Sequence, residues 1–411
     1  MDMRDAEPQL TTGQRIAQYR HLRKMTQEEL AGLVGRTGDW LGKVERGGHE
    51  IDRISVLRQI AGVLGVPFWE LLGAQILLQW RDGEQHASIP DLRAALSDFR
   101  QFVPTTQLSD VDRRVNLDEL AVRVEFAWED YQRSRYNRAA LVLPELVTAT
   151  VDASRTLTGN PQRRAQRQAA SVHQLIGVFL PKLGEADLAF ATARRGLEMA
   201  QLSGDVPTVG SLYRIVAYTL GAAGEFGQSV ALIDAAVTLL EPHLSRPEAD
   251  GLDLSVLGML SLIGARSAAQ AGNGSEAEQL LRHASSLAER LGRDGNYGYT
   301  GFGPVNVAIH RTVVAIELGD TARAIEVGAD LDTSPLPIER RGRHSIEVAR
   351  ALARLGRHDD AVDTLLTAEQ FAPEQIRHHS TARAIVRVAS RGRHPAQRSL
   401  ALAGRMGIQA L

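Results

Sequence analysis

The sequence predicts an all-α protein in which a small helical unit precedes an α-solenoid, a stack of antiparallel helix pairs. Apolar residues recur at helical spacing along most of the 411 residues, whereas alternating strand-like patterns are few and short. A chain of this length exceeds what one hydrophobic core usually organises. From about residue 117 onward, small residues and glycines also repeat in a fixed order. These observations favour two helical units of different kinds over a single globule.

The composition narrows the functional classes. Cysteine is absent, which excludes disulfides, thiolate metal sites and cysteine nucleophiles and fits a reducing cytosol. The 47 basic and 49 acidic residues leave a net charge of -2, so any affinity for nucleic acid must be local. Residues 1–10 contain no apolar run, and no stretch reaches the roughly 18 apolar residues that a membrane helix needs. We therefore expect a cytoplasmic protein with no membrane partner.

Changes in composition divide the chain into three parts. Residues 11–73 contain five short apolar-periodic segments separated by glycine and proline where helices are expected to end. Residues 74–116 mix an apolar turn with a polar stretch that ends in Pro90, which predicts a connector and a linking helix beginning at Asp91. Residues 117–411 carry the repeats, and we expect them to form the solenoid.

Residues 11–73 contain a motif whose residues have identifiable structural roles. Thr26 can cap the second helix, small Ala31 lets the third helix cross closely, and Gly35 relieves backbone strain where the chain reverses. The motif residues are Thr26, Gln27, Leu30, Ala31, Gly35, Glu45, Arg46 and Gly47. In this pattern the segment resembles the helix-turn-helix of the phage-repressor (XRE) family, which implies a five-helix DNA-binding domain.

The resemblance assigns roles within this domain. Arg20 and Glu45 correspond to a structural ion pair, and the inward-facing residues are Ile16, Tyr19, Leu30, Val34, Leu41, Val44, Leu57, Ile60, Leu64 and Val66. The third helix, from Thr37 to Glu45, corresponds to the recognition helix, whose first residues enter the major groove. The resemblance therefore predicts double-stranded operator DNA as the partner.

Individual side chains are assigned to bases or to the DNA backbone. Lys43 can donate to guanine O6 or N7, and Asp39 can accept from the cytosine amino group. The predicted DNA-contacting residues are Gln27, Arg36, Thr37, Gly38, Asp39, Trp40, Lys43 and Arg46. Of these, Gln27, Arg36, Trp40 and Arg46 are placed to contact phosphates or sugars. Because Gly38 and Gly42 occupy the recognition helix, few side chains remain to specify bases, and we expect DNA shape to contribute.

The charge of residues 11–73 indicates how this domain would bind. It contains nine lysines and arginines against seven acidic residues, an excess of only two positive charges. Two copies on two-fold related half-sites would supply the affinity that one copy lacks. We therefore expect a homodimer.

The repeats follow one spacing rule. A small residue is followed by a turn glycine seven residues later and by a second small residue after five more, as in Ala349, Gly356 and Ala361. The other copies are Gly177, Gly184 and Ala189; Ala217, Gly224 and Ser229; Ala265, Gly272 and Ala277; Thr312, Gly319 and Ala324; and a degenerate copy with Ala127, Ser134 and Ala139. The spacing matches the tetratricopeptide consensus. Small residues are needed where antiparallel helices cross, and the glycine ends the first helix.

One segment interrupts the repeats. Residues Leu291–Gly303 are rich in glycine and aromatic residues. They either loop over one end of a groove or form an ordinary flexible connector, and the sequence leaves both interpretations open.

Tetratricopeptide geometry predicts which residues face a concave groove. The first helix of each pair lines that groove, at positions that follow the helical spacing around the small residue. The predicted groove residues are Trp128, Tyr131, Gln174, Arg214, Tyr218, Arg266, Asn306, His310, Arg343 and Arg350. Four arginines and aromatic walls suit a carboxylate or phosphate, such as a short peptide with a free carboxyl end. The alternative is that these arginines pair with acidic residues on neighbouring helices or are solvated.

The sequence thus favours a transcriptional regulator whose repeat unit senses a peptide or small anionic effector or mediates dimerisation. Regulators with this pairing of domains, and with segments similar to FGPVNVAIHR, occur in actinobacteria. The alternative is a DNA-anchored adaptor that recruits a protein partner through its repeats. No phosphate-binding glycine loop, nucleophile elbow or metal triad is present, so we expect no enzyme, no catalytic residue and no cofactor. His310, His378 and His379 lack a second ligand pair at metal spacing, so we predict no metal site.

Overall fold

A computed structural model describes most of the two helical regions of the chain. The described residues are 11–48, 51, 54–64, 66, 71, 89–97, 116–392 and 395–408. They form 20 α-helices and two short 3₁₀ helices, and within these ranges the only β pairing is an isolated antiparallel bridge between Gly295 and Phe302. The protein is all-α, as the sequence predicts. It divides into two compact units, Met1–Gln85 and His86–Leu411.

The first unit contains the helix-turn-helix. Its described helices are α1 (Thr12–Leu22), α2 (Gln27–Leu33), α3 (Gly38–Glu45) and α4 (Ile54–Leu64). The predicted interior residues are buried, with Tyr19 and Val66 partly buried at its edge. The predicted fifth helix falls mainly outside the described residues, of which only the helical, fully buried Leu71 bears on it.

Local sequence signals set the helix ends of this unit. Thr26 accepts a hydrogen bond from the Glu29 amide at 3.1 Å, and the Glu29 carboxylate accepts one from the Thr26 amide at 2.7 Å. This capping box satisfies donors that a helix start leaves unpaired. Gly35, in the turn that leads to α3, has φ +66°, a conformation that costs glycine little. The predicted cap and turn are both confirmed.

The second unit consists of helices that follow one another as antiparallel pairs. After the linking helix α5 (Ile89–Leu96), its helices are α6 (Leu117–Gln132), α7 (Tyr136–Thr156), α8 (Gly159–Phe179), α9 (Ala186–Ser203), α10 (Val206–Ala222), α11 (Phe226–Leu244), α12 (Gly251–Gln270), α13 (Gly274–Leu291), α14 (Pro304–Leu318), α15 (Thr321–Gly328), α16 (Ile338–Arg354), α17 (His358–Glu369), α18 (Pro373–His378), α19 (Ser380–Ser390) and α20 (Gln397–Arg405). The 3₁₀ helices are Leu180–Leu183 and Tyr297–Tyr299.

The repeat rule is confirmed at its turns. All five predicted turn glycines have positive φ, from +75° at Gly356 to +91° at Gly319. In the degenerate copy Ser134 takes the same conformation, with φ +57°. A left-handed residue at this point ends the first helix of a pair and lets the chain reverse into the second. The degenerate copy is therefore a structural repeat despite its missing glycine.

The predicted small residues mark the helix crossings. Ala189, Ala217, Ala265 and Ala349 have no exposed surface. At Gly177 an added Cβ would lie 2.5 Å from the Ile215 side chain on the next first helix, closer than any real contact. Helix pairs therefore stack at a separation that larger residues would prevent.

The first helix pair of the array contacts α18, near the end of the array. Ser134, after α6, donates to Gln375 of α18 at 2.8 Å, and the Asn137 amide donates to the Glu374 carboxylate at 2.7 Å. These bonds join residues more than 230 positions apart. The α6–α7 region and α18 therefore close one side of the inner face that the first helices α6, α8, α10, α12, α14 and α16 line.

The segment between α13 and α14, residues 293–303, crosses this inner side, and we name it the strap. Tyr299 stacks on Trp128 of α6 with ring centroids 4.4 Å apart, and Asn296 exchanges two amide hydrogen bonds with Gln132 at 2.7 and 2.9 Å. Arg340 of α16 donates to the Thr300 carbonyl at 3.2 Å. These contacts show a segment fixed to helices at both ends of the array rather than a free connector.

Helix α12 lies at the centre of the second unit. By length and composition it is the one helix among the described residues that could cross a membrane, yet 89% of its most apolar window is buried. Its side chains form the largest hydrophobic core cluster, together with those of α11 and α13. The apolar composition of α12 therefore reflects its position in the core of a helical array.

Candidate functional site

Helix α3 presents a polar surface on the first unit. Thr37 caps the helix by accepting from the Trp40 amide at 3.3 Å. Leu41 and Val44 are buried against the domain core, whereas Asp39 and Lys43 point to solvent with exposed side-chain fractions of 73% and 57%. A helix held by one face and exposed on the other can enter a groove of DNA without unfolding.

The two predicted base-reading residues interact with each other. Lys43 lies 2.8 Å from the Asp39 carboxylate, one helical turn away, and the ammonium lowers the pKa of Asp39 through a hydrogen bond and its charge. Exposed pairs of this kind are weak. Either side chain can therefore leave its partner to meet a base edge.

The predicted phosphate-contacting residues surround α3. Gln27 donates to the Glu45 carboxylate at 2.6 Å, so its amide nitrogen is engaged inside the domain. Arg36 lies over the Trp40 ring at 5.6 Å, and Arg46 is exposed. Gly42 leaves room for these groups, because an added Cβ would lie 3.1 Å from the Gln27 side-chain oxygen and 3.2 Å from the Arg46 guanidinium.

The predicted ion pair between Arg20 and Glu45 is confirmed. Both nitrogens of the Arg20 fork donate to the two carboxylate oxygens, at 2.7 and 2.8 Å, and both side chains are buried. Burial opposes ionisation of Glu45, but hydrogen bonds from Arg20 and Gln27 outweigh it and lower its pKa. The pair joins α1 to the end of α3 and fixes α3 on the domain.

The inner face of the second unit carries a group of charged side chains that we name the inner cluster. Its cations are Lys182, Arg214, Arg266, Arg340, Arg343 and Arg350, and its carboxylates are Glu317, Glu339 and Glu347. Six cations against three anions leave an excess of three positive charges. Four of these cations were predicted from the repeat geometry, and the structure brings them together.

Two of the predicted arginines are neutralised. Arg350 contacts Glu347 at 2.6 Å and Glu317 at 3.0 Å, and Arg266 lies 3.7 Å from Glu317 and 3.8 Å from Glu347. Burial opposes the ionisation of Glu317, but Arg350 and Arg266 outweigh it and lower its pKa. For these two residues the alternative stated from the sequence, pairing with acidic neighbours, is the observed one.

Tyr131 and Tyr218 each bind a cation. The Lys182 ammonium donates to the Tyr131 hydroxyl at 2.5 Å and forms a fully buried ion pair with Glu339. Arg343 donates to the Tyr218 hydroxyl at 3.2 Å. Burial opposes ionisation of Tyr218, but Arg343, Lys182 and Arg266 outweigh it and lower its pKa. Three cations therefore lie close enough to Tyr218 to favour its ionised form.

The placement of Trp128 corrects one prediction. Its side chain is 1% exposed, because the Tyr299 ring covers it and its indole nitrogen donates to Ser171 at 2.9 Å. Trp128 therefore fastens the strap and does not form a wall open to a ligand. Asn306 has a similar role, since it is fully buried and donates to the Gly301 carbonyl at 2.9 Å.

Arg214 differs from the other cations of the inner cluster. It is 6% exposed, its Nε is buried without a partner, and it forms no ion pair with the residues that the structure describes. Burial and the nearby Arg340 lower its pKa to about 10, so it remains charged at neutral pH. An isolated buried charge costs several kcal/mol unless a counter-ion neutralises it.

Two further donors on this face lack partners. The amide nitrogen of Gln174 and the Nε of Arg340 are both buried without an acceptor among the described residues. Gln174 and Arg214 each precede the small crossing residue of their repeat by three positions, so they occupy the same face of the adjacent helices α8 and α10. The Arg214 Nε and these two donors therefore have no acceptor within hydrogen-bond distance among the described residues.

The histidines on this face are held neutral. Burial and the cations Arg340, Arg343 and Arg266 lower the pKa of His310 to about 3, and burial together with Arg343 and Lys182 lowers that of His379 to about 3. Across the described ranges, no group of three or more possible metal ligands occurs.

Sequence reasoning missed five members of the inner cluster, namely the carboxylates Glu317, Glu339 and Glu347 and the cations Lys182 and Arg340. Lys182 lies in the 3₁₀ helix after α8, where no repeat position predicts it, and Glu339 and Arg340 lie in the first turn of α16. Their role depends on α16 facing α6 and α8 across the closed array. No local pattern in the sequence carries that information.

Comparison with known proteins identifies the first unit. Residues 12–70 match the family described as a helix-turn-helix domain. No curated protein matches the chain at a significant level. Among solved structures the chain is similar to PlcR of Bacillus thuringiensis in complex with the peptide PapR7 and DNA, at 15% identity and a TM-score of 0.31, over 92% of this chain and 99% of that chain. It is also similar to aspartyl phosphate phosphatase F of Bacillus subtilis, at 10% identity and a TM-score of 0.45, over 93% and 98%.

Proposed function

We propose that this helix-turn-helix chain is a cytoplasmic, homodimeric transcriptional regulator that binds duplex DNA through α3 and responds to an anionic ligand on its inner face. The observation that supports DNA binding most is the geometry of α3. Its inner side is fixed by the Arg20–Glu45 pair and the domain core, while Asp39, Lys43 and Arg46 remain exposed. Rigid support with a free polar face is what a recognition helix needs.

The two kinds of contact have different consequences. Lys43 would read guanine in the major groove and thereby contribute to sequence preference. Arg46, beyond the end of α3, would bind a phosphate and contribute affinity for any sequence. We propose no catalytic step and no cofactor for this chain.

Selection of duplexes from a random library with the full chain tests the DNA-binding role. Arg46→Ala should weaken binding to all duplexes about equally and reduce the dependence of log affinity on log salt by about one, whereas Lys43→Ala should relax the preference at one base pair per half-site. Fluorescence anisotropy at several salt concentrations measures both effects.

The control is Arg282→Ala, which removes an exposed arginine on α13 of the second unit. It should leave affinity and salt dependence unchanged. Failure to enrich any duplex, or equal binding by wild type and both α3-region variants, would remove the proposal.

The sensing role is supported by the inner cluster. A regulator couples a ligand to DNA only if the ligand binds two conformations with different affinity. The inner face includes the contacts that close the array, among them the Lys182–Glu339 pair between the end of α8 and the start of α16. A ligand that competes for these side chains would act on the closure itself, and closure is the conformational variable that we propose is sensed.

A further inference from the structure

We infer that the inner cluster is a binding site for a small anion with at least two negative charges, a phosphate ester or a di- or tricarboxylate, with Arg214 as its anchor. This inference rests on the proposed function and specifies its ligand. The sequence alone is equally compatible with a short peptide bearing one free carboxyl group, so the charge and the enclosure of the site decide between the two.

The unpartnered groups define what the ligand must supply. Among the buried atoms without partners, the Arg214 Nε, the Arg340 Nε and the Gln174 amide nitrogen are donors, whereas the Asn306 Oδ1, beside the strap, is an acceptor. Donors without acceptors fit an oxyanion, whose oxygens accept several hydrogen bonds at once. A guanidinium edge also matches the two oxygens of a carboxylate or phosphate.

Charge balance sets the minimum charge of the ligand. Glu339 is engaged by Lys182, and Glu317 and Glu347 are engaged by Arg350 and Arg266. The three carboxylates therefore have partners, and three positive charges remain in excess. One carboxylate of a peptide would neutralise a single charge, whereas a phosphate ester or a dicarboxylate would neutralise two or more.

Enclosure sets the maximum size. Tyr299 of the strap stacks on Trp128 of α6. Ser134 and Asn137 donate hydrogen bonds to Gln375 and Glu374 of α18. These contacts cross the inner side, so an extended peptide along the inner face would meet them, and we infer that it is disfavoured. A small anion needs only the inner side chains.

Binding of defined probes to the full-length chain tests the inference. The probes are pyrophosphate, citrate, acetate and a blocked pentapeptide with a free carboxyl end, at constant ionic strength because salt screens charge. We expect pyrophosphate or citrate to raise the melting temperature and to bind in calorimetry, with at least ten-fold weaker binding of acetate and peptide.

Variants separate the ligand-binding role of Arg214 from a structural one. Arg214→Met should lose at least ten-fold in affinity for the charged probe while the ligand-free protein melts at the same or a higher temperature, because an unpaired buried charge has been removed. If Arg214→Met does not fold, Arg214→Lys, which keeps the charge but loses the fork, should weaken binding to a smaller extent. Arg194→Met, on the exposed side of α9, is the matched control and should change nothing.

The outcomes separate this inference from the proposed function. Equal binding by wild type and Arg214→Met, absence of binding by both multiply charged probes, or tighter binding of the peptide would overturn the anion site. If the chain binds duplex DNA in a salt-dependent manner in the same preparation, the DNA-binding role survives that result. If the anion binds through Arg214 but the chain binds no duplex, the site stands and the proposed function fails.

Discussion

Gly13 shows how little space separates α1 from α3 in the first unit. An added Cβ would lie 2.1 Å from the Val44 carbonyl oxygen, in the last turn of α3. Glycine at this position is therefore a packing requirement that places α1 against α3. The motif used to identify the domain from its sequence does not include this residue.

Gly13→Ala should destabilise the first unit. The backbone of α3 must shift to admit the methyl group, and overpacking of this kind costs about 1–3 kcal/mol. Hydrogen exchange of the amides in residues 12–45 of the full-length chain measures the effect as faster exchange.

Gly32→Ala is the matched control within the same unit. It lies inside α2 with no atom within 4 Å of an added Cβ, so the higher helix propensity of alanine should stabilise the unit by up to about 1 kcal/mol. Equal exchange in the two variants would show that α1 and α3 do not pack as described.

At the same scale, Arg214 and Arg350 show where sequence reasoning stops. Both follow from the repeat geometry as residues of the inner face, and both lie there. Their difference in pairing arises because Glu317 and Glu347 lie beside Arg350, whereas no carboxylate among the described residues pairs with Arg214. That distribution depends on the relative positions of three helices, α10, α14 and α16, which periodicity does not give.

At the scale of elements, the turns could be predicted and the strap could not. A turn glycine lies seven residues after a small residue because the first helix ends in a left-handed conformation. This requirement is local, so the sequence identifies such turns directly. The partner of Trp128 is Tyr299, 171 positions later in the chain. A stack between residues so distant has no local signature, and this is why Trp128 was wrongly predicted to form an open groove wall.

Gly258 of α12 holds the strap in place. The Phe302 ring lies where a side chain would be, 2.0 to 2.5 Å from an added Cβ. Gly258→Ala should therefore expel this buried ring and loosen residues 293–303, with at least ten-fold faster hydrogen exchange in that segment.

The companion variant Gly227→Ala, in the first turn of α11, adds the same methyl group where nothing lies within 4 Å. It should leave exchange in the strap unchanged. Unaltered exchange in Gly258→Ala would mean that Phe302 does not anchor the strap.

At the scale of the whole molecule, the two units differ in how much of their structure the sequence predicts. In the described part of the first unit, the Thr26 cap, the core and the ion pair each follow from residues close in the chain or from the motif. The second unit is predicted repeat by repeat, but the contacts between Ser134 and Gln375 and between Lys182 and Glu339 close the array on one side of its inner face. Closure is a property of the accumulated rotation between repeats, to which each pair adds a little.

The account as a whole depends on α3 lying in the major groove of DNA. Methylation interference on a selected duplex tests this most directly, because methyl groups on guanine N7 occupy the major groove. We expect methylated guanines to block the full-length chain at two half-sites about one helical turn, or a multiple of it, apart. In Lys43→Ala, interference should vanish at one guanine in each half-site. Binding that is insensitive to N7 methylation, or that is blocked only by methyl groups in the minor groove, would contradict the account.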